Sequence, residues 1–473
     1  MSAMDESLYL CLDQGGHASR AVLIDARGAV QNIAYREIAT LRDGVKVEHD
    51  PEELLASLQQ AAAEVATGHS ISLAGLATQR SSIVCWDSHT GAALSPVLSW
   101  QDRRAADWLK QFSHQESRIH DLTGLVLSPH YGVSKLVWCL EHLPAVAEAQ
   151  AENRLRFGPL AAWLAGRLCG EIPAITDPAN GSRTLLWDRR KNAWSAELLD
   201  LFGVPPACLP TAVTSCYAWG NIELADQSVP LTVVTGDQSA ALFAFGKPDQ
   251  ETVYVNLGTG AFVQRAAEEI NDSGRLLASI VYADEKNVVS VLEGTVNGAG
   301  AAVNKYAQES DIDIAYIKSN SSAWLDNFDA DLFFINAVSG LGSPWWLPDA
   351  DSFFSGQGSD EQHVAAILES IAFLVAVNLE AGNKLVAQPC RQIVATGGLA
   401  KVSPLLQRIA DLSAAEVERT QVSEATALGL AYLIAGMPDD WPKPDVRQRF
   451  TPQPDNSLPA RFGHWRSLMP PIA

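Results

Sequence analysis

Leu231-Thr232-Val233-Val234-Thr235-Gly236-Asp237-Gln238-Ser239-Ala240-Ala241-Leu242-Phe243-Ala244-Phe245 is the stretch that organises the chain. Leu231 to Thr235 is short, apolar and β-branched, the composition of a buried strand. Gly236 breaks it, and the Ala-rich segment beyond Asp237 and Gln238 suits a closely packed helix. A carboxylate at such a strand-to-helix corner stands at the sheet edge where α/β folds bind their ligands. Read locally, Asp237 is equally a helix N-cap.

At 473 residues the chain exceeds one ordinary core, so two domains or a bilobed unit are expected. Its 47% hydrophobic and 19% charged content is that of a globular protein. A net charge of −21 argues against a nucleic-acid groove and against an anionic membrane surface. The start, Met1 to Ser7, lacks a basic n-region, and no apolar run nears the roughly 20 residues that span a bilayer. Seven scattered cysteines with no CxxC pair argue against a disulfide framework or a zinc site. The expectation is a reduced, cytoplasmic protein.

Leu8 to Leu12 reads as a strand, Asp13 to Arg20 as a Gly-rich turn and Ala21 to Asp25 as a second strand. Such a hairpin holds a phosphate against backbone N–H groups of Gly15 and Gly16, beside a carboxylate placed for a metal. It is also an ordinary hairpin whose glycines serve the turn. Asp50-Pro51-Glu52-Glu53 opens a helix with Pro in its first turn. Ile71 to Thr78 is a strand ending at Arg80, and Val97 to Ser99 leads to Trp100-Gln101-Asp102. Arg80 and Asp102 have the chemistry to bind a polyhydroxylated ligand, with Trp100 stacked on its carbon face. They equally suit a salt-bridge cluster beside a core Trp.

Phe157 to Cys169 reads as one apolar helix, and Asp177 to Thr184 as a polar turn. A second hairpin follows, Glu251 to Arg265, turning at Gly258-Thr259-Gly260. Thr295 to Tyr306 and Val364 to Asn383 read as helices, and Arg391 to Ala395 as a strand ending at Thr396-Gly397-Gly398. Beyond Gly436 the Pro-rich tail is expected to wrap the surface. Two α/β halves, each with a phosphate-facing hairpin, imply a ligand cleft between lobes.

The motifs LDQGGHASRAVLID, GLATQRSSIVCWD, SWQDRR, FGPLAAWLAG, TDPANGSRTLLWD, TGDQSAALF, NLGTGAFV, VLEGTVNGAGAAV, SGLGSPWW, LESIAF and ATGGLAK occur in this order from Leu8 to Gly436. The ordered set resembles the FGGY carbohydrate kinases, most closely the glycerol kinase branch. The resemblance implies two actin/hexokinase-like, ribonuclease H-like α/β lobes around a central cleft. It places an N-terminal lobe at 1–236, with acceptor site and first phosphate loop, and a C-terminal nucleotide-binding lobe at 237–473. It implies transfer of the γ-phosphoryl group of ATP, with Mg²⁺, to a hydroxyl of a small sugar or polyol. Asp237 matches the general base, and Asp13 with Asp237 the metal carboxylates. Arg80, Trp100 and Gln238 match acceptor-binding positions, joined by Ser81, Asp102 and His130, with Phe262 as an apolar wall. Gly15, Gly16, His17, Ser19 and Arg20 form the first phosphate loop, Gly258, Thr259 and Gly260 the second, and Gly397 and Gly398 flank the adenosine. A homodimer is the default assembly.

Three departures stand out. Gly16-His17-Ala18 replaces a Thr-Thr-Ser of glycerol kinases, which removes two hydroxyls from the phosphate loop. Ser81 and His130 stand where that branch has Glu and Tyr, so a different polyol or a ketose fits as well as glycerol. Val402 replaces an Asn beside adenine. The altered loop also raises an alternative, a catalytically weak sugar- or nucleotide-binding regulator.

Overall fold

The computed structural model describes residues 7–170, 174–268, 270, 272–453 and 457–472. The stretch read for a leader therefore lies outside the described residues except for Ser7. The chain forms two compact α/β units. The first takes Met1–Lys247, Ser279–Ser290 and Ser423–Lys443; the second takes Pro248–Ala278, Val291–Val422 and Pro444–Ala473. The division falls after Lys247 instead of Gly236, because the helix Asp237–Leu242 packs on the helix Ala425–Ile434 within the first unit.

The main sheet of the first unit runs in the order Cys216–Leu224, Gln227–Gly236, Leu73–Thr78, Leu8–Gln14, Ala18–Asp25, Val30–Glu37. Its three central strands are parallel, and Gln14, Thr78 and Gly236 end level with one another. Such a shared carboxyl edge is where open α/β sheets bind ligands. Leu10, Leu12, Leu76 and Val234 line the core face, covered by the helix Pro51–Ala66 through Leu54 and Leu58. Asp50 caps that helix, its carboxylate accepting from the N–H groups of Glu52 and Glu53.

The sheet of the second unit includes, in this order, Ala261–Ala267, Thr252–Leu257, Gln392–Thr396, Glu416–Thr420 and Val446–Phe450. Thr252–Leu257 lies parallel to Gln392–Thr396, with Asn256 level with Thr396. The 26-residue helix Asp360–Leu385 runs through this core, started by a capping box at Ser359 and Gln362. By length and composition it could cross a membrane, contrary to the expectation from the sequence, but 89% of its apolar window is buried inside the fold. None of the seven cysteines is in a disulfide.

Several local expectations are corrected. Leu155–Pro159 is a strand paired with Ile83–Asp87, and only Leu160–Leu168 is helical. The strand Val288–Val296 takes Thr295 and Val296, so the next helix starts at Gly300. Asp177 to Thr184 is buried, and Asp177 caps the short helix Pro178–Gly181. The tail contributes a strand, Val446–Phe450, and a helix, Ser457–Leu468. Trp465 of that helix is fully buried, donating to the Phe334 carbonyl at 3.0 Å.

Candidate active site

At the carboxyl edge of the first sheet, Gly236 is the helix N-cap and Asp237 the first helical residue. The capping alternative for Asp237 therefore fails. Its Oδ1 instead accepts from the N–H of Gln238 at 2.7 Å. Burial pushes the Asp237 carboxyl above its ordinary range, opposed by the positive charges of Arg80 and Arg183. Arg80 donates to Gln238 Oε1 at 2.7 Å. Its side chain crosses Gly236 so closely that a Cβ there would lie 2.5 Å from Arg80 Cγ. The Gly-Asp-Gln corner and Arg80 thus form one packed constellation.

The neighbouring strand brings Asp13 to the same edge. Asp13 is buried, and its Oδ1 has no hydrogen-bond partner among the described residues. Its Oδ2 accepts from Arg20 at 3.2 Å. Burial, then the charge of Asp237, pushes the Asp13 carboxyl up to about 7, with Arg20 opposing. The turn is shorter than the sequence reading, because Asp13 and Gln14 remain in the ladder opposite Arg20 and Ser19. The Ser19 hydroxyl lies 2.9 Å from Gln14 Oε1 and 2.6 Å from Ser57 Oγ, fully buried. It braces the hairpin and is withdrawn from the phosphate-binding set. Gly15, Gly16 and exposed His17 form the loop tip, with Gly16 beside Gln79 and Trp100.

The acceptor positions of the first unit gather around Trp100. Its ring centroid lies 5.5 Å from that of His130. Ser81 is buried with φ 65°, and its Oγ is without a partner among the described residues. Asp102 departs from the expectation. It accepts two bonds from Arg104 Nε at 2.9 and 3.0 Å, one from Arg104 Nη2 at 2.6 Å and one from the Val47 N–H at 2.8 Å. With its lone pairs so occupied, Asp102 holds the loop and is no hydroxyl acceptor. Phe262 lies in the second unit, in the strand Ala261–Ala267 opposite Asn256.

In the second unit, the hairpin turn closes with the Gly258 N–H on the Gly260 carbonyl at 2.9 Å. The N–H groups of Ala299 and Ala301 donate to the Thr259 carbonyl. Gly397 and Gly398 line a pocket of about 680 Å³ with Thr396, Lys401, Arg419 and Arg447. Val402 is buried in the core.

Sequence reading missed Lys135, Arg183 and Glu424. Arg183 was read only as part of a polar turn. The charge of Glu424, distant along the chain, acts on Asp13. No local pattern carries that proximity.

The N-terminal domain of the FGGY family of carbohydrate kinases matches residues 8–244, and the family's C-terminal domain matches residues 253–437. The chain belongs to the FGGY family of carbohydrate kinases. A glycerol kinase of Trichlorobacter lovleyi is 35% identical over 453 residues, covering 90% of this chain and 89% of that protein. A glycerol kinase of Staphylococcus epidermidis is 30% identical, covering 94% of this chain and 93% of that protein. Among solved structures, a Plasmodium falciparum glycerol kinase with ADP superposes with a TM-score of 0.89 at 22% identity, covering 98% of this chain and 97% of that one. At that identity the likeness speaks for the fold alone, the actin/hexokinase-like α/β fold.

As an FGGY kinase the protein transfers a phosphoryl group from ATP, with Mg²⁺, to a hydroxyl of a small sugar or polyol. These matches give no support to the regulatory alternative. The residues present fit the metal. Among the described residues no group of three or more His, Cys, Asp or Glu forms a cage. Mg²⁺ of kinase sites is held by one or two carboxylates together with phosphates and water. The unsatisfied Asp13 Oδ1 and the neighbouring Asp237 supply that kind of donor set.

Proposed function

We propose that this FGGY kinase uses Asp237 as the general base that accepts the proton of the attacking hydroxyl. The observation that carries the reading is the placement of Asp237. Its carboxylate is buried at a sheet edge, fixed by the Gln238 N–H and flanked by Arg80. One carboxylate suffices, because phosphoryl transfer depends on positioning and charge neutralisation more than on covalent help. Bound Mg²⁺ supplies charge neutralisation at the phosphates, and Asp13 with Asp237 would hold it. Trp100 and Gln238 orient the acceptor, and burial excludes competing water.

The first unit is read as the acceptor side, with Gly15, Gly16, His17 and Arg20 at the phosphate loop. The second is read as the nucleotide side, at Gly397 and Gly398, with Gly258, Thr259 and Gly260 as its phosphate loop and Phe262 as an acceptor wall. The pocket beside Gly397, with its Lys401, Arg419 and Arg447 side chains, supports that division. A cytoplasmic homodimer is the proposed setting.

Asp237→Asn tests the base. Turnover is expected to fall about 10² to 10⁴-fold, with ATP binding by calorimetry unchanged. Full activity in that variant removes Asp237 from the mechanism.

A further inference from the structure

The turn between the strands Leu8–Gln14 and Ala18–Asp25 has its carbonyls engaged and two of its N–H groups open. The Gly15 carbonyl accepts from Gln14 Nε2 at 3.2 Å and from Gln79 Nε2 at 3.4 Å. The Gly16 carbonyl accepts from the Thr40 hydroxyl at 3.2 Å, and the His17 carbonyl from the Ile38 N–H at 3.1 Å. The Gly15 N–H donates to the Ala18 carbonyl at 3.0 Å. Among the described residues the N–H groups of Gly16 and His17 have no acceptor. Two successive open N–H groups beside engaged carbonyls form a concavity suited to an anion.

The side chains around this turn leave one further donor. Gly15 and Gly16 supply none, and Ala18 supplies a methyl group. The Ser19 hydroxyl is buried between Gln14 and Ser57. Arg20 is bonded to Asp13, and its guanidinium lies over the Tyr35 ring at 5.7 Å. Thr40 is taken by Gly16. His17 is exposed, and its imidazole makes no hydrogen bond among the described residues. At least one imidazole nitrogen carries a hydrogen in either neutral tautomer and in the cation, so His17 can donate in every charge state.

The surroundings of the turn select the phosphate that this donor meets. A Cβ on Gly16 would lie 3.5 Å from Gln79 Oε1 and 3.9 Å from Trp100 Nε1, so the turn abuts Trp100 of the acceptor side. Gln14, Thr78 and Gly236 end level, which brings the turn and Asp237 to one sheet edge. The phosphoryl group nearest that edge is the one the acceptor hydroxyl attacks. We infer that the His17 imidazole donates a hydrogen bond to the γ-phosphoryl group of ATP, in place of the hydroxyls that this turn lacks. This role rests on the kinase reading. It makes His17 a catalytic residue, with the Gly16 and His17 N–H groups holding further oxygens of the same phosphoryl group. ADP has no such group, so the turn distinguishes the donor nucleotide from the product.

Calorimetry on the full chain with Mg²⁺ tests this, comparing ADP with the non-hydrolysable β,γ-imido analogue of ATP. His17→Ala is expected to weaken the analogue about 10- to 100-fold, as for loss of a hydrogen bond to a charged group, and ADP by less than about twofold. His17→Gln keeps an N–H donor and is expected to recover most of the loss. Thermal melts that match the wild type verify that both variants are folded. Unchanged analogue affinity in His17→Ala overturns the assignment and leaves the kinase reading intact. Equal weakening of ADP and analogue overturns the γ-phosphoryl contact, and His17→Gln as weak as His17→Ala overturns the donor role. A wild-type chain that binds neither nucleotide overturns the kinase reading and the His17 role with it.

Discussion

Two carboxylates at one sheet edge, Asp13 and Asp237, stand in different surroundings. Asp237 is clasped by a backbone N–H and faced by Arg80, whereas one oxygen of Asp13 is left without a partner among the described residues. A buried like-charge neighbour destabilises the protein when nothing neutralises it. Asp13→Asn is therefore expected to stabilise the ligand-free protein by about 0.5–2 kcal/mol while sharply lowering Mg·ATP turnover. Thermal melts and a coupled ADP assay read the two effects separately. A variant that melts lower would show that the carboxylate is held by partners other than a cation.

At the scale of elements, the helix Ala425–Ile434 decides where the Asp237 corner sits. A Cβ on Gly429 would fall 1.8 Å from the Ala240 carbonyl oxygen. Gly429→Ala is expected to push the two helices apart, costing about 1–3 kcal/mol and lowering turnover more than ATP affinity. Gly463, inside the helix Ser457–Leu468, has nothing within 4 Å of the same atom. Gly463→Ala is expected to raise stability by roughly 0.4–1 kcal/mol, measured by urea titration. Elements with a strong local pattern were legible in the sequence, as at Asp50-Pro51 and Thr235-Gly236-Asp237. Leu155–Pro159 was not, because a short apolar run fits strand and helix alike until its partner Ile83–Asp87 is known. The final helix was hidden because prolines around it read as surface chain, although Trp465 fills the core.

For the whole molecule, pH is the simplest probe. Burial pushes the Asp177 carboxyl up to about 7, against hydrogen bonds from Asn180. A carboxyl raised on folding keeps a proton that the unfolded chain has released, so folding is favoured below about pH 4 and loses this support as pH rises through 7. Chemical unfolding is expected to show stability declining from pH 5 to pH 8, less steeply in Asp177→Asn. Turnover should run the other way, rising with pH as Asp237 ionises from its elevated range. The placement of candidate residues was legible where one short motif fixed it, as for Asp237 at its strand-to-helix corner and Arg80 after its strand. It was misread where the partner comes from afar. Asp102 is claimed by the backbone of Val47, and Ser19 by Ser57. Neither pairing leaves a trace in local spacing.

The first unit is not finished when its first 247 residues have been made. Its helix Ala425–Ile434 fills space over Gly75, where Ile434 Cδ1 would lie 3.0 Å from a Cβ, and Thr426 Oγ1 donates to the Asp237 carbonyl at 3.4 Å. During vectorial synthesis the Asp237 corner must wait, with an apolar face open, until residues 425–434 have left the ribosome. A fragment ending at Lys247 is expected to be aggregation-prone, and a peptide of residues 423–443 supplied in trans should restore its solubility.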